Sequence, residues 1–417
     1  MIGLVDGNNF FVSCERIFEP WLNGKPVAVL SNNDGCVVSR SNEFKALKIP
    51  MGTPFFKLCP HIKRLGLILR SSNYKLYGDI SQRIMQILSD FSPEVEQYSI
   101  DEAFVYAERK SFEEYESLAK TMRETILQWV GVPCGVGFAP TKTLAKIANH
   151  TAKKKPSGIF IMPDDPQPLL KTVPVGEVWG IGRRLAPKLA NFGITTAARL
   201  ADTPEEFLQK QFNINVVKTA RELRGLPQYL EEEPEKPSQS ITRSRSFGQP
   251  VTDLAELKQS LAYYAAGAAQ KLREENQTAA GCHIYMQYYP EYNPPQEGGW
   301  SGTSIVFPEP ADYTADIQKY ILEKVEDLFI KGRRYKKTGV TLFGLEPRSH
   351  KQPDLFYDNE LDEKKQNLSK TLDAINRQFG RSAIHPLSEG LTKPWMMKRD
   401  HLSRDYTGSW DDLLIVR

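Results

Sequence analysis

Disulfide-grade cysteine usage, strong net charge and long apolar runs are all missing from this 417-residue chain. Its five cysteines, Cys14, Cys36, Cys59, Cys134 and Cys282, are odd in number, scattered and without CxxC spacing. That argues against a disulfide framework or a zinc site and for reduced thiols. No apolar run approaches the roughly eighteen residues of a membrane span, and "MIGLVDGNNF" lacks the basic flank and small-residue cleavage site of a signal peptide. A cytoplasmic protein with no membrane span is therefore expected. The net charge of +3 is too small to announce a polyanionic partner, so the distribution of basic residues has to carry that question. Repeats of solenoid period are absent as well. What is present is a globular balance, 40% hydrophobic and 25% charged, over a length sufficient for several domains, each with its own core.

Along the chain, "IGLV" reads as a short buried strand ending at Asp6, followed by a polar turn and a helix near "FVSCERIF". "KPVAVLS" and "GCVVSRS" read as two further strands around "NNDG", whose Asp34-Gly35 is a hairpin signal. A helix is predicted at "NEFKALK" and another over 73–91, before Pro93. Then come a strand bearing Asp101 and Glu102, a helix over about 111–130, the strand "CGVGFA" and a helix from "TKTLAKIANHTAKK". Strands alternate with helices but hairpin signals are present too, so a mixed sheet backed by helices is expected. Residues 166–226 read as a small helical unit. The acidic, proline-bearing stretch "EEEPEKPS" reads as a linker. Beyond it, strands at "SQSITRSRSFG", "GCHIYMQYY", "TSIVFPEP" and "TGVTLFGLE", with helices at about 253–276 and 312–330, make a second α+β domain, and 348–417 a polar, partly helical tail.

The stretch "EVEQYSIDEAFVY" places two adjacent acids, Asp101 and Glu102, between apolar runs that alternate like a buried strand. An ionised carboxylate out of water costs several kcal/mol unless something cationic meets it. Either a turn exposes the pair or a cation sits there. With Asp6, three acids at strand ends are the minimum that a two-magnesium site requires, since hard oxygen ligands leave positions open for water and phosphate. An acid pair taken alone is also what a solvated turn shows.

The segments "LVDGNNFFVSCE", "SNNDGCVVSRSNEFKALKIPMGTPFF", "YSIDEAF" and "GVGFAPTKTLAKIANHTAKK" resemble, in order and spacing, the Y-family translesion DNA polymerases. The likeness is to the UmuC branch, which includes the catalytic subunit of bacterial DNA polymerase V and its plasmid-borne relatives, and it covers essentially the whole chain. It implies an α+β multidomain fold, a right-hand polymerase with palm, fingers, helical thumb and α+β little finger. Carried onto this sequence, the palm spans 1–10 and 72–165, the fingers 11–71, the thumb 166–230, a linker 231–239, the little finger 240–347 and a clamp- and partner-binding tail 348–417.

The resemblance implies an error-prone DNA-directed DNA polymerase acting in the SOS response, without proofreading. Asp6, Asp101 and Glu102, with the Gly7 carbonyl, would bind two Mg²⁺ ions for transfer of a nucleotide from dNTP to the primer 3′-hydroxyl. Phe11 falls at the family's steric gate, where many relatives carry tyrosine. Ser39, Asn42, Lys45 and Lys146 fall at triphosphate-binding positions. Asn42 and Lys45 differ from the tyrosine and arginine of the DinB branch. Cys36, Val38 and Gly52 would roof the nascent base pair, their small size leaving room for a distorted template base.

"GIGRRLAPKLANFGI" resembles a helix-hairpin-helix, with Gly180 and Gly182 admitting backbone N–H groups to a DNA phosphate and Arg183, Arg184 and Lys188 beside them. In "TRSRSF", Arg243 and Arg245 alternate along a strand and share a face, and with "KGRRYKK" they suggest a grip on the DNA backbone. "QPDLF" resembles the bacterial sliding-clamp motif, with Gln352, Leu355 and Phe356 as its anchors. The UmuC branch further implies primer-template DNA, a processed UmuD-type dimer and RecA as partners. A two-metal nuclease would use the same acids but has no need of Phe11, Lys45 and Lys146. A non-catalytic DNA-binding adaptor has no use for the three acids.

Overall fold

The computed structural model describes residues 1–108, 111–229, 237–292, 295–350, 359–380 and 383–413. The chain divides into two compact units: Met1–Glu232 with Asp400–Arg417, and Glu233–Arg399. The clamp-like motif at Gln352, Leu355 and Phe356 lies outside the described residues.

The first unit is built on strands β1 (Ile2–Gly7), β2 (Val27–Leu30), β3 (Val37–Arg40), β4 (Ile68–Ser71), β5 (Val95–Gln97), β6 (Glu102–Tyr106), β7 (Cys134–Ala139) and β8 (Ile159–Ile161). Its main sheet has the order β5-β6-β1-β7-β8. β1 is central and antiparallel to both neighbours, while β7 and β8 run parallel, so the sheet is mixed as its sequence pattern predicts. Both faces are covered. Val5, Ala103, Val105 and Phe138 pack under helices Phe10–Phe18, Tyr74–Phe91 and Phe112–Val130, whereas Leu4, Phe104 and Ala139 pack under helix Lys142–Ala152. That last helix lies so close that a Cβ on Gly137 would come within 2.2 Å of the Asn149 backbone nitrogen. Side-chain caps start three of these helices: Asn73 accepts from Leu76 N–H, Ser111 forms a reciprocal capping box with Glu114, and Thr141 accepts from Leu144 N–H.

A smaller sheet of order β3-β2-β4 joins a β2–β3 hairpin to a parallel β4. The hairpin turn differs from the Asp-Gly pattern read in the sequence. Asn33 and Asp34 take the left-handed conformation (φ 59° and 48°), while Gly35 sits at φ −73°. Asn and Asp tolerate that region, and Asp34 is held in it because its carboxylate accepts from Ser71 Oγ at 2.6 Å and from the Asp400 backbone N–H at 2.8 Å. Residues 166–226 form the expected helical unit, with short helices Gln167–Leu170, Leu185–Asn191, Ala197–Asp202, Glu205–Gln211 and Ile214–Leu223.

In the second unit, β9 (Ser240–Val251), β10 (Gln277–Tyr288), the short pair β11 (Glu291–Tyr292) and β12 (Pro295–Gln296), β13 (Gly299–Ala311) and β14 (Tyr335–Pro347) are the strands. β13-β10-β14-β9 form one antiparallel sheet. Helices Leu254–Glu274 and Thr314–Leu328 cover one face and close the core around Ile284, Met286, Val340 and Leu342. The region expected as a polar tail is more integrated than its composition suggests. Helix Asn359–Phe379 is tied down by a bidentate Arg273–Asp373 pair at 2.8 Å and by Lys365–Asp316 at 2.7 Å. Trp395 is buried against Phe247, Tyr263 and Tyr264.

Candidate active site

Strand parity dictates where the acids go. Asp6 shares its face of β1 with Ile2 and Leu4, and Glu102 is its register partner on β6, so both carboxylates point toward helix Lys142–Ala152. That helix answers with a polar stripe at helical spacing. Lys146 Nζ lies 3.1 and 3.3 Å from the Glu102 oxygens, Asn149 Nδ2 donates to the Leu4 and Gly135 carbonyls, and Lys153 Nζ lies 2.6 Å from Asp6 Oδ2. Asp101 sits in the bend before β6. Gly7 N–H donates to its carbonyl at 2.9 Å, and Ser99 Oγ donates to its carboxylate at 2.8 Å. The bend and the end of β1 are thereby held together, and both alternatives left open by the sequence apply: a turn presents Asp101, and cations meet Asp6 and Glu102.

The electrostatics show how little solvent helps. Burial pushes the Asp6 carboxyl up to about 7, the Lys153 ammonium pulls it down, and the like charges of Glu102 and Asp101 add to the rise. A cleft of about 260 Å³ opens here, lined by Asp6, Glu102, Lys146, Lys153, His150 and Trp179. Its oxygen-only acids match the donor set a hard divalent cation takes. Lys146 and Lys153 meet those acids, and among the described residues no group of three or more His, Cys, Asp or Glu side chains is closed up as a metal cage.

Phe11, in the first turn of helix Phe10–Phe18, lies flat on Tyr77 (ring centroids 4.5 Å apart, 12° between planes) with Tyr74 edge-on at 6.0 Å. Tyr77 is fixed in turn by its hydroxyl, which donates to the buried Glu15 at 2.7 Å. Between Asp6 and Phe11 stands Asn9, in the left-handed conformation. Its Oδ1 accepts from Lys45 Nζ at 2.5 Å and its Nδ2 donates to Asn42 Oδ1 at 3.1 Å. The structure thus brings Asn42 and Lys45 to the end of β1 through a residue the sequence reading missed. Ser39 is buried in β3 opposite Val29. The Lys45 ammonium is held below its ordinary range by partial burial and by the neighbouring charges of Arg40 and Lys153. Arg40 itself, also missed, has a buried Nε without a hydrogen-bond partner among the described residues. Lys153 was hidden in the run "TAKKKPS", although its i+7 spacing from Lys146 was the available signal.

Cys36 is half-buried with Sγ 3.4 Å from Ser31 Oγ, Val38 packs partly on the core of the first unit, and Gly52 takes φ +78° with open space beside its Cα. Gly52 is therefore favoured by the left-handed backbone of its turn. In the hairpin segment, Gly180 has φ +84°, the Gly182 carbonyl accepts from Leu185 and Ala186 N–H, and Arg183, Arg184 and Lys188 are exposed. Trp179, one residue earlier, donates to Tyr98 Oη at 3.1 Å, and Lys146 Nζ lies over the Tyr98 ring at 4.2 Å and the Trp179 ring at 5.6 Å.

Arg243 and Arg245 do share a face, but it is not the open one. They pair in register with the buried Val340 and Thr338, and Thr338 Oγ1 is 2.9 Å from Ser260 on the covering helix. β9 is the edge strand, so two long side chains can run out beside Tyr263 and Tyr264. The opposite face, free of any helix among the described residues, carries Thr242 and Thr341 (Oγ1 atoms 2.9 Å apart), His283, Tyr285, Lys337 and the exposed Trp300. Lys337 Nζ lies 5.9 Å from the Tyr285 ring centre, and Arg333 stacks over Tyr288 at 4.7 Å.

The family model described as "impB/mucB/samB family" matches residues 5–150, its C-terminal-domain model matches 238–355, an "IMS family HHH motif" matches 163–194, and a "Domain of unknown function (DUF4113)" matches 366–416. The chain is 39% identical to Protein UmuC of Salmonella typhimurium over the full length of both. It is 28% identical to DNA polymerase IV of Desulfatibacillum aliphaticivorans, covering 92% of this chain and 95% of that one. Among solved structures, a chimera of the Y-family DNA polymerases Dbh and Dpo4 superposes with a TM-score of 0.62 at 23% identity, covering 83% of this chain and 99% of the chimera.

Proposed function

The chain belongs to the impB/mucB/samB family, and on that premise we propose that it is an error-prone DNA-directed DNA polymerase of the translesion class, extending primer-template DNA from dNTPs. Its fold is that of the Y-family polymerases. The observation that carries the reading is the in-register pair Asp6–Glu102 with Asp101 in the adjoining bend, facing lysines at i and i+7 of one helix. Desolvated acids compensated by lysine ammonium groups suit a site that takes divalent cations.

We assign Asp6, Asp101, Glu102 and the Gly7 carbonyl to two Mg²⁺ ions, which when bound supply Lewis-acid activation of the primer 3′-hydroxyl and neutralise the triphosphate. Once those acids are otherwise compensated, Lys146 and Lys153 are free to meet phosphate charge, together with Ser39, Asn42 and Lys45. Burial first, and then the like charges of Arg40 and Lys153, hold the Lys45 ammonium low, and that gathering of positive charge suits a polyanion. Phe11, backed by Tyr77, is the floor under the sugar that excludes a 2′-hydroxyl. Cys36, Val38 and Gly52 form the small-residue roof. The domain boundaries stated above are retained as part of this reading, as are the absence of proofreading and the SOS role.

Gly180, Gly182, Arg183, Arg184 and Lys188 are the proposed duplex phosphate clamp. For the second unit, we move the proposed DNA grip from Arg243 and Arg245 to the open sheet face with Lys337 and Trp300. Gln352, Leu355 and Phe356 are proposed to engage the sliding clamp, and a UmuD-type dimer and RecA to act with a cytoplasmic enzyme. The test is primer extension across an abasic template site by the full chain, with clamp, UmuD-type dimer and RecA added singly and together. Insertion and extension past the site, stimulated by each partner, is the expected result. Degradation of the primer in place of extension would make the acids those of a nuclease, and a partner without effect would be struck from the reading.

A further inference from the structure

The segment Asp400–Tyr406 lies at the far end of the chain from the three acids, Phe11 and the roof residues, yet it is built into the same unit as they are. It runs along the elements that carry the proposed gate and roof. Asp400 N–H donates to Asp34 in the β2–β3 turn, the turn that leads to Cys36 and Val38. His401 pairs with Ser71 in both directions, its N–H donating to Ser71 Oγ and its carbonyl accepting from Ser71 N–H, each at 3.0 Å. Tyr406 stacks on Phe18 at 4.8 Å and 5°, and its hydroxyl donates to Glu19 at 3.1 Å, so it braces the helix that bears Phe11.

Two contacts lead from this segment to the ring on which Phe11 rests. Asn73 Nδ2 donates to Ser403 Oγ at 3.0 Å and to the Arg404 carbonyl at 3.3 Å, while its Oδ1 caps helix Tyr74–Phe91 by accepting from Leu76 N–H. The amide is thereby oriented by the tail on one side and the helix on the other. Tyr74 and Tyr77, the two rings of this helix that face Phe11, stand in the turn that this cap begins. The second contact passes through Glu15. Its buried carboxyl accepts from the Tyr77 hydroxyl at 2.7 Å, and the Ser403 hydroxyl nearby favours its charged form. A ring held by its helix cap and by its hydroxyl has little freedom left; the tail bonds the capping amide directly and stands beside the acid that takes the hydroxyl.

We propose that Asp400–Tyr406 is a positioning element for the sugar pocket: it sets the Tyr74–Tyr77 backing of Phe11 and thereby the enzyme's discrimination against ribonucleotides. This rests on the reading of Phe11 as the gate, and it gives a role to part of a segment whose matching family model is of unknown function. None of its residues touches substrate; they act through Asn73, Glu15 and Tyr77.

The experiment measures steady-state incorporation of a dNTP and the matching rNTP opposite one template base by full-length wild type, Phe11→Ala, Ser403→Asp, Ser403→Thr and His401→Pro. Ser403→Asp sets a second acid near Glu15, His401→Pro deletes the N–H that Ser71 accepts together with the imidazole that faces Phe55, and Ser403→Thr keeps the hydroxyl. Discrimination is expected to collapse in Phe11→Ala and to fall roughly tenfold in Ser403→Asp and His401→Pro, as ångström-scale misplacement produces. Ser403→Thr should retain the wild-type ratio, and DNA affinity should be unaltered in all the tail variants. If Phe11→Ala collapses the ratio but both tail disruptions leave it intact, lowering kcat for the two nucleotides equally, the tail is only structural and the proposal fails. If Phe11→Ala leaves the ratio unchanged, the gate reading fails and takes this inference with it.

Discussion

Among the described residues, the main sheet of the first unit is covered on both faces, whereas the sheet of the second unit is covered on one. The difference decides where polar chemistry can live in each. In the first, side chains along β1, β6 and β7 are committed to cores above and below, so the acids are confined to the strand ends, packed together, and in need of cations. In the second, a whole face stays available, and hydroxyls, aromatics and a lysine are spread over four strands with no group desolvated as Asp6 is. Concentrated charge suits bond making, where a few kcal/mol at one atom changes the rate by orders of magnitude. A dispersed face suits holding a long polyanion, where many weak contacts add.

Removing a carboxylate from the concentrated site gives the largest expected effect. Asp101→Asn keeps the shape and loses the charge, so primer extension should fall by at least about 10²-fold while DNA affinity stays near wild type. Single-turnover rates and equilibrium DNA binding on the same substrate separate the two quantities. A variant that extends normally would remove Asp101 from the chemistry, and one that loses DNA binding in proportion would erase the contrast between the two sheets.

The dispersed sheet should respond more gently and according to face. Trp300→Ala on the open face is expected to weaken DNA binding roughly tenfold, the loss of about one aromatic contact to nucleic acid. Lys337→Ala should lower the slope of log affinity against log salt by about one. Arg243→Ala, on the helix-covered face, should alter neither by more than about twofold. Titrations at several salt concentrations decide the matter. A larger loss from Arg243→Ala than from Trp300→Ala would return the grip to the edge strand.

That last contrast marks where sequence reading stops. Alternation in "TRSRSF" gives two faces correctly, but which face is covered depends on helix Leu254–Glu274 and on the register Arg243↔Val340, neither of which the strand itself encodes. The acids were legible because a carboxylate next to "IGLV" or "AFVY" conflicts with its surroundings, and such conflicts mark function. Lys153 was not, because a lysine in a basic run looks solvated until the helix end places it on Asp6. Asn9 was unreadable for a related reason: its role is a left-handed bend that lets one amide reach both Lys45 and Asn42. The β1–β7 framework and most helices follow from periodicity and caps. The Asp400–Tyr406 segment does not, since its partners, such as Asn73 and Ser71, stand some 330 positions away and its own composition is that of a surface loop.

The smallest effect, a shift in thermal stability, tests the comparison without any turnover. An acid raised from 3.8 to about 7 by burial keeps its proton in the folded state through a range in which the unfolded chain has already released it. The folded protein then binds more protons, so stability falls as pH rises through that window and levels off above about 7. Without divalent cations the unfolding transition should therefore come at lower temperature at pH 8 than at pH 5.5. Mg²⁺ should recover more at pH 8, where Asp6 is ionised and no proton competes for it. A difference on the order of 2–4 °C is expected for a stabilisation of about 1 kcal/mol. Asp6→Asn should abolish the Mg²⁺ gain and weaken the pH dependence in this window, leaving the part that the buried Glu15, also raised by burial, contributes. Trp300→Ala should leave both untouched, since the open face of the second unit buries no such acid. Equal Mg²⁺ gains at the two pH values in wild type would mean that the desolvated carboxyl is not where the cation acts, and the account of the strand-end site would have to be rebuilt on Asp101 and Glu102 alone.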